Sequence, residues 1–183
     1  MAANSGAPIT DPSASLASRV NQRMACARLL LVQLQAALQE NTPLPQVALQ
    51  DSCIVHLYAA FFHYLREVCQ YHGIKNLQAI DSLRAARGAL VAEGKASAEL
   101  DELWQLYAAS DSWLADIINA YQALWALPVP LSVSKATDKP QPEQIALVNL
   151  DRGTAAITFD RLQQSIEQLQ QLIERHRESS TEY

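Results

Sequence analysis

The stretch QVALQDSCIVHLYAAFFHYLREVCQYH, residues 46–72, decides the fold class. Ile54, Tyr58, Phe61, Leu65, Val68 and His72 recur in steps of four and three, the spacing of an apolar helix face. Leu57, Phe62, Tyr64 and Cys69 widen that face past half of the helical wheel. A helix apolar over so wide an arc needs cover on several sides, so it is expected at the centre of a bundle. Pro45 suits its first turn, where a missing N–H does no harm. Gly73 is the expected terminator.

Outward from this helix, proline punctuates the chain at positions 8, 12, 43, 45, 128, 130, 140 and 142. Helices can run only between such breaks. Residues 1–14 read as a disordered leader, and 15–183 as a single domain. A first helix is expected over Ser15–Gln39, with Val20, Met24, Ala27, Leu31, Leu34 and Leu38 as its seam. A weaker helix is expected over Asn76–Ala92, ended by Gly94. A fourth starts after the N-cap Ser97, with Glu99, Asp101 and Glu102 suited to the positive end of its dipole. Ser110-Asp111-Ser112 reads as a break or fresh cap, and Trp113, Ile117, Ala120, Leu124 and Leu127 carry the helix onward. Residues 128–157 form a Pro-rich extended connector with an apolar island at Ile145–Leu150, expected to lie on the bundle or pair as a short strand. The last helix opens after Thr158 and runs through Phe159, Leu162, Ile166, Leu169, Leu172 and Ile173 to about Glu178. The expected fold is all-α, a bundle of about five helices.

Of 183 residues, 49% are apolar and 18% charged, too apolar and too sparsely charged for wholesale disorder. No run of about 18 apolar residues escapes polar interruption, so no membrane helix is expected. Lys and Arg number 14 against 19 Asp and Glu and form no long stripe. That argues against nucleic-acid binding. Cys26, Cys53 and Cys69 are odd in number and widely spaced in apolar stretches, which reads as reduced core thiols in a cytoplasmic protein. Met1–Ser15 lacks the basic and apolar regions of a secretory signal.

For chemistry, the best polar grouping lies on the central helix. His56, His63 and Glu67 fall within about 40° on an ideal wheel, opposite the Phe61–Leu65 face. The axial gap from His56 to Glu67 is about 16 Å, more than one metal ion spans. Asn21 and Arg23 of the first helix, with Arg66, complete a candidate polar site alongside His56 and Glu67. Arg66 and His72, six apart, point roughly 120° from each other and do not converge on one phosphate. The Glu-x-x-His pairs of di-iron bundles, Gly-rich phosphate loops, Gly-x-Ser-x-Gly and Cys-x-x-Cys are all absent from the sequence. No metal site and no cofactor is expected. Trp104, Trp113 and Trp125 with Ile145 and Leu147 form a candidate interaction surface, since Trp anchors interfaces. Arg175-His176-Arg177 suits the negative end of the last helix and needs no ligand.

Several segments in order carry a resemblance. They are Arg19-Val20-Asn21-Gln22-Arg23 with Ala27, His56-Leu57 with Glu67, and Trp113-Leu114 with Ala120-Tyr121. Ile145–Leu150 and Arg175-His176-Arg177-Glu178 ahead of Tyr183 complete the set. Together they are similar to an uncharacterised bacterial family of short, mostly helical hypothetical proteins, a domain of unknown function, over about residues 16–183. The leader is longer here, and His63, Tyr64 and His72 depart from the pattern. The resemblance implies a bacterial, cytoplasmic, helical protein and brings no activity with it. The preferred reading is a non-enzymatic bundle that works through contact with a protein partner or a second copy. A small enzyme or ligand-binding bundle using His56 and Glu67 is the alternative.

Overall fold

A computed structural model describes the backbone of residues 12–126 and 157–181, with side chains for 16–126 and 157–179. Among the described residues there are six α-helices and no strands, against about five helices expected. They are α1 (Pro12–Gln39), α2 (Pro43–Tyr71), α3 (Leu83–Ala92), α4 (Ala98–Ala108), α5 (Trp113–Ala123) and α6 (Phe159–Thr181). The sixth arises because the 110–112 break is complete. Ser112 Oγ accepts from Ala115 N at 3.0 Å and opens α5 as a separate helix.

The central helix is α2, which packs against each of the other five. Its buried set is Cys53, Ile54, Leu57, Ala60, Phe61, Tyr64, Leu65, Val68 and Cys69, wide enough to meet neighbours on several sides. It ends as the sequence anticipates. Gly73 takes φ +75°, its N–H donates to the Gln70 carbonyl at 2.8 Å, and Ile74 N–H reaches back to Cys69 at 2.9 Å. A residue with a Cβ adopts this left-handed turn only at a cost, and the turn drops Ile74 into the core.

α1 and α2 form an antiparallel hairpin. Gln46 donates to the Ala37 carbonyl, the Cys53 thiol to Ala27, and Arg23 meets His56, so the sequence order reverses along the pair. Val20, Met24, Ala27 and Leu34 fill the interface as their spacing predicts. In the last turn of α1 Leu38 is exposed and Ala37 is buried, a departure from the expected seam. α6 runs antiparallel to α1, with Arg28 donating to Gln170 and Arg177 to Asn21.

The helix expected over Asn76–Ala92 is shorter. Leu77–Ala79 make a single 3₁₀ turn, Ile80 is extended and buried, and Ser82 caps α3 by accepting from Ala85 N at 3.1 Å. α5 stops at Ala123, before the expected Leu127. Ser97 and Thr158 cap α4 and α6 as expected, accepting from Leu100 N and Arg161 N at 3.2 Å each. The three cysteines are free, with Cys53 and Cys69 buried and Cys26 half-buried. Burial pushes the Cys53 thiol up to about 12 and the Cys69 thiol to about 11, so both stay protonated. The island Ile145–Leu150, nearly all of the leader and most of the connector lie outside the described residues. None of the described helices is long and apolar enough to cross a membrane.

Candidate functional site

The five polar residues singled out on α1 and α2 divide between two flanks of the hairpin. Asn21 and Glu67 face α6. There Arg177 grips Glu67 through Nε and Nη2, both at 2.8 Å, and its Nη1 donates to Asn21 at 3.0 Å. Two parallel N–H···O bonds to one carboxylate fix a guanidinium in position and angle. Glu67 is thereby committed to α6.

Arg23, His56 and Arg66 lie on the other flank. The Arg23 guanidinium donates to His56 Nδ1 at 3.3 Å, which leaves the imidazole proton on Nε2. Arg66 is held by its Nε bond to the Ile80 carbonyl at 3.1 Å, with its guanidinium 4.3 Å from the centre of the Phe62 ring. Two residues join them. Arg19 sits one turn before Arg23, and His63 lies between the two helices with its Nδ1 buried and unpartnered. Burial, followed by the charges of Arg19, Arg23 and Arg66, holds the His63 imidazole below its ordinary range. Burial and then Arg23 do the same to His56. Among the described residues, no carboxylate lies within ion-pair distance of Arg19, Arg23 or Arg66. Both imidazoles are thereby kept neutral at pH 7.

Beside Arg177, the C-terminal end of α6 behaves differently from its sequence reading. His176 is buried, its Nδ1 meets the Tyr64 hydroxyl at 2.5 Å, and its Nε2 meets Glu102 at 2.9 Å. Burial first, then the charges of Glu67, Glu99 and Glu102, raises Tyr64 far above the ordinary phenol range, so its hydroxyl donates. The imidazole therefore accepts at Nδ1 and donates from Nε2. Burial works to raise the Glu102 carboxyl, but the His176 hydrogen bond and the Arg175 charge outweigh it and hold it below its ordinary value. Arg175 also donates to Glu102. Arg175-His176-Arg177 is thus a three-pronged clasp onto α4 and α2, where the sequence offered only a helix-dipole role. With Tyr64 1% exposed there is no access for a substrate, and the clasp binds helices together.

The aromatic segment also divides. Trp113 lies in the core. Trp104 is half-buried under the Arg87 guanidinium, 4.7 Å from its ring centre. Trp125 is 70% exposed, edge-on to Tyr121, which in turn stacks on Tyr58 at 3.8 Å. Ile145 and Leu147 lie outside the described residues. A cleft of about 220 Å³ opens beside Tyr58, Trp104 and Tyr107, with Arg84 as its one basic side chain. Among the described residues no three His, Cys, Asp or Glu side chains gather as a metal shell.

One further apolar feature has no counterpart in the sequence reading. The outer face of α1 carries Ser18, Gln22, Ala25, Leu29, Val32, Ala36 and Gln39, a second seam in steps of four and three, exposed throughout. Leu29 and Val32 at its middle are 60% and 64% exposed. Periodicity gives spacing and not direction, so it does not tell which face of α1 the core covers.

No curated protein and no solved structure matches the chain. A family model described as a family of unknown function, DUF6586, matches residues 15–183. With nearly the whole chain inside that match, the protein belongs to the DUF6586 family of unknown function.

Proposed function

We propose that this is a non-enzymatic, cytoplasmic protein that works through helix–helix contact, with the outer seam of α1 as its contact surface and a second copy of the chain as the occupant. The observation that carries this is the exposed Ala25-Leu29-Val32-Ala36 row, since large apolar side chains in a contiguous row mark contact sites. The row is complementary to itself. A two-fold axis between Leu30 and Leu31 sets Leu29 against Val32 of the second copy, Ala25 against Ala36, and Gln22 against Gln39. Arg28 then faces Gln33, and no like charges oppose each other. Such an isologous antiparallel pairing closes on itself, as two-fold dimers do. The free, widely separated cysteines support the cytoplasmic compartment.

The paired length from Gln22 to Gln39 is about 26 Å. That is a small interface, so association in the micromolar range is expected. Sedimentation equilibrium across that range tests it. The wild-type chain should populate a dimer, and Leu29→Lys with Val32→Lys should leave a folded monomer with an unchanged melting temperature. A wild-type chain monomeric at every concentration overturns the reading.

A further inference from the structure

We propose that the cleft between α2, α3, α4 and α5 binds a small aromatic carboxylate, with Arg84 as the partner of its carboxyl group. Residues of all four helices line one cavity of about 220 Å³, so their side chains meet at a single place. That volume lies below the range of drug-sized sites, roughly 300–1,000 Å³, and suits a ligand with one ring. Phe61, Leu65, Leu83 and Ile118 line the cavity and belong to the buried core, which gives it an apolar floor. A ring seated there exchanges water for a hydrocarbon surface, the main gain open to a small ligand.

The aromatic walls are held in place by their own neighbours. Tyr58 stacks on Tyr121 with ring centres 3.8 Å apart and planes within 2° of parallel. The Arg87 guanidinium sits 4.7 Å from the centre of the Trp104 ring and pairs with Asp101 at 3.1 Å. The Tyr107 ring lies 5.8 Å from Trp104. Rings already fixed receive another ring at little cost in entropy. The charge of the cleft has one sign. Arg84 is the one ionic side chain in its described lining, and it has no hydrogen bond or ion pair among the described residues. Asp81, the acid nearest to it in sequence, is outside that lining and accepts from the Ser82 hydroxyl at 3.0 Å. A guanidinium whose fork of N–H donors is unused selects a carboxylate over a neutral or cationic group. Its place in the first turn of α3, at the positive end of the helix dipole, adds to the same preference. No described residue of α1 lines the cleft, so the site is separate from the seam proposed for dimer contact.

Titration of the full chain with phenylacetate at constant ionic strength tests the proposal, with its neutral isostere phenylacetamide as the control. The readout is the indole N–H signal of Trp104 in proton–nitrogen NMR spectra, assigned by its loss in Trp104→Phe. The core residue Trp113 serves as internal reference. A saturable shift of the Trp104 signal is expected, with a Kd of about 0.1–1 mM for a ligand of about ten non-hydrogen atoms. Arg84→Gln should weaken phenylacetate about tenfold, the loss of one charged hydrogen-bonding group, and leave phenylacetamide unchanged. Arg84 has no partner within the described fold, so this variant should keep the wild-type melting temperature and the comparison stays interpretable. A Trp104 signal that phenylacetate does not move overturns the proposal. So does acid binding no tighter than amide binding in the wild-type chain and indifferent to Arg84→Gln.

Discussion

The two flanks of the α1–α2 hairpin hold the same ion, the guanidinium, in opposite company. On the α6 flank Arg177 lies between two carboxylate oxygens of Glu67 and the Asn21 amide, and His176 beside it connects Tyr64 to Glu102. On the far flank the charges of Arg19, Arg23 and Arg66 act on His63, and none of the three arginines has a carboxylate within ion-pair distance among the described residues. The first arrangement is satisfied within the fold and reads as architecture. The second has no such partner among the described residues. Removing charge should therefore destabilise the first flank and not the second.

The largest expected effect is at the clasp. His176→Ala removes a buried ring and strands both the Tyr64 hydroxyl and part of Glu102, at a cost of about 2–4 kcal/mol. A urea midpoint unchanged from wild type would show that the clasp holds nothing together. Next, Glu67→Gln weakens the bidentate pair with Arg177, and partial exposure of the arginine limits the loss to about 1–2 kcal/mol. The same midpoint measurement reads it, and an increase in stability would contradict the assignment of this flank to architecture.

The smallest effect has the opposite sign. Arg19→Gln relieves repulsion on the far flank and should raise stability by a few tenths of a kcal/mol at neutral pH. It should also flatten the pH dependence. Unfolded histidine titrates near 6.5, whereas folded His56 and His63 titrate lower, so the unfolded chain binds more protons in between. Their contribution is complete above 6.5 and is lost as pH falls through the folded values. Glu99 and Glu102, held below their ordinary 4.5, add a second loss in more acid solution. Unfolding midpoints from pH 7.5 to 5.5 check this, and a slope identical in wild type and Arg19→Gln would break the contrast between the flanks.

Much of the frame was legible because its signals are local. Pro43 and Pro45 against Gly73 bracket α2, and the Ser97, Ser112 and Thr158 hydroxyls sit where a backbone N–H needs an acceptor. Ser82 was missed because the apolar Leu77 and Ile80 before it mimic the first turn of a helix. The candidate site was half legible. His56 and Glu67 share a stripe on the wheel, yet α1 crosses that stripe and α6 captures its far end. Glu67 therefore joins Arg177, 110 residues away, while His56 joins Arg23. His176 carried no signal of its buried role, since charged neighbours on both sides gave its segment the look of a solvated helix end.

What the sequence determined by itself is the ends of α2, the centrality of α2 and the all-α class, because helix periodicity, proline and capping act within a few residues. What only the tertiary structure decided is direction and company. It turned one of the two apolar seams of α1 inward and left the other in solvent, and it gave the α6 arginines carboxylates while leaving three others around His63 without them. Those outcomes depend on which surfaces meet across many tens of residues, and burial and charge pairing are properties of that meeting.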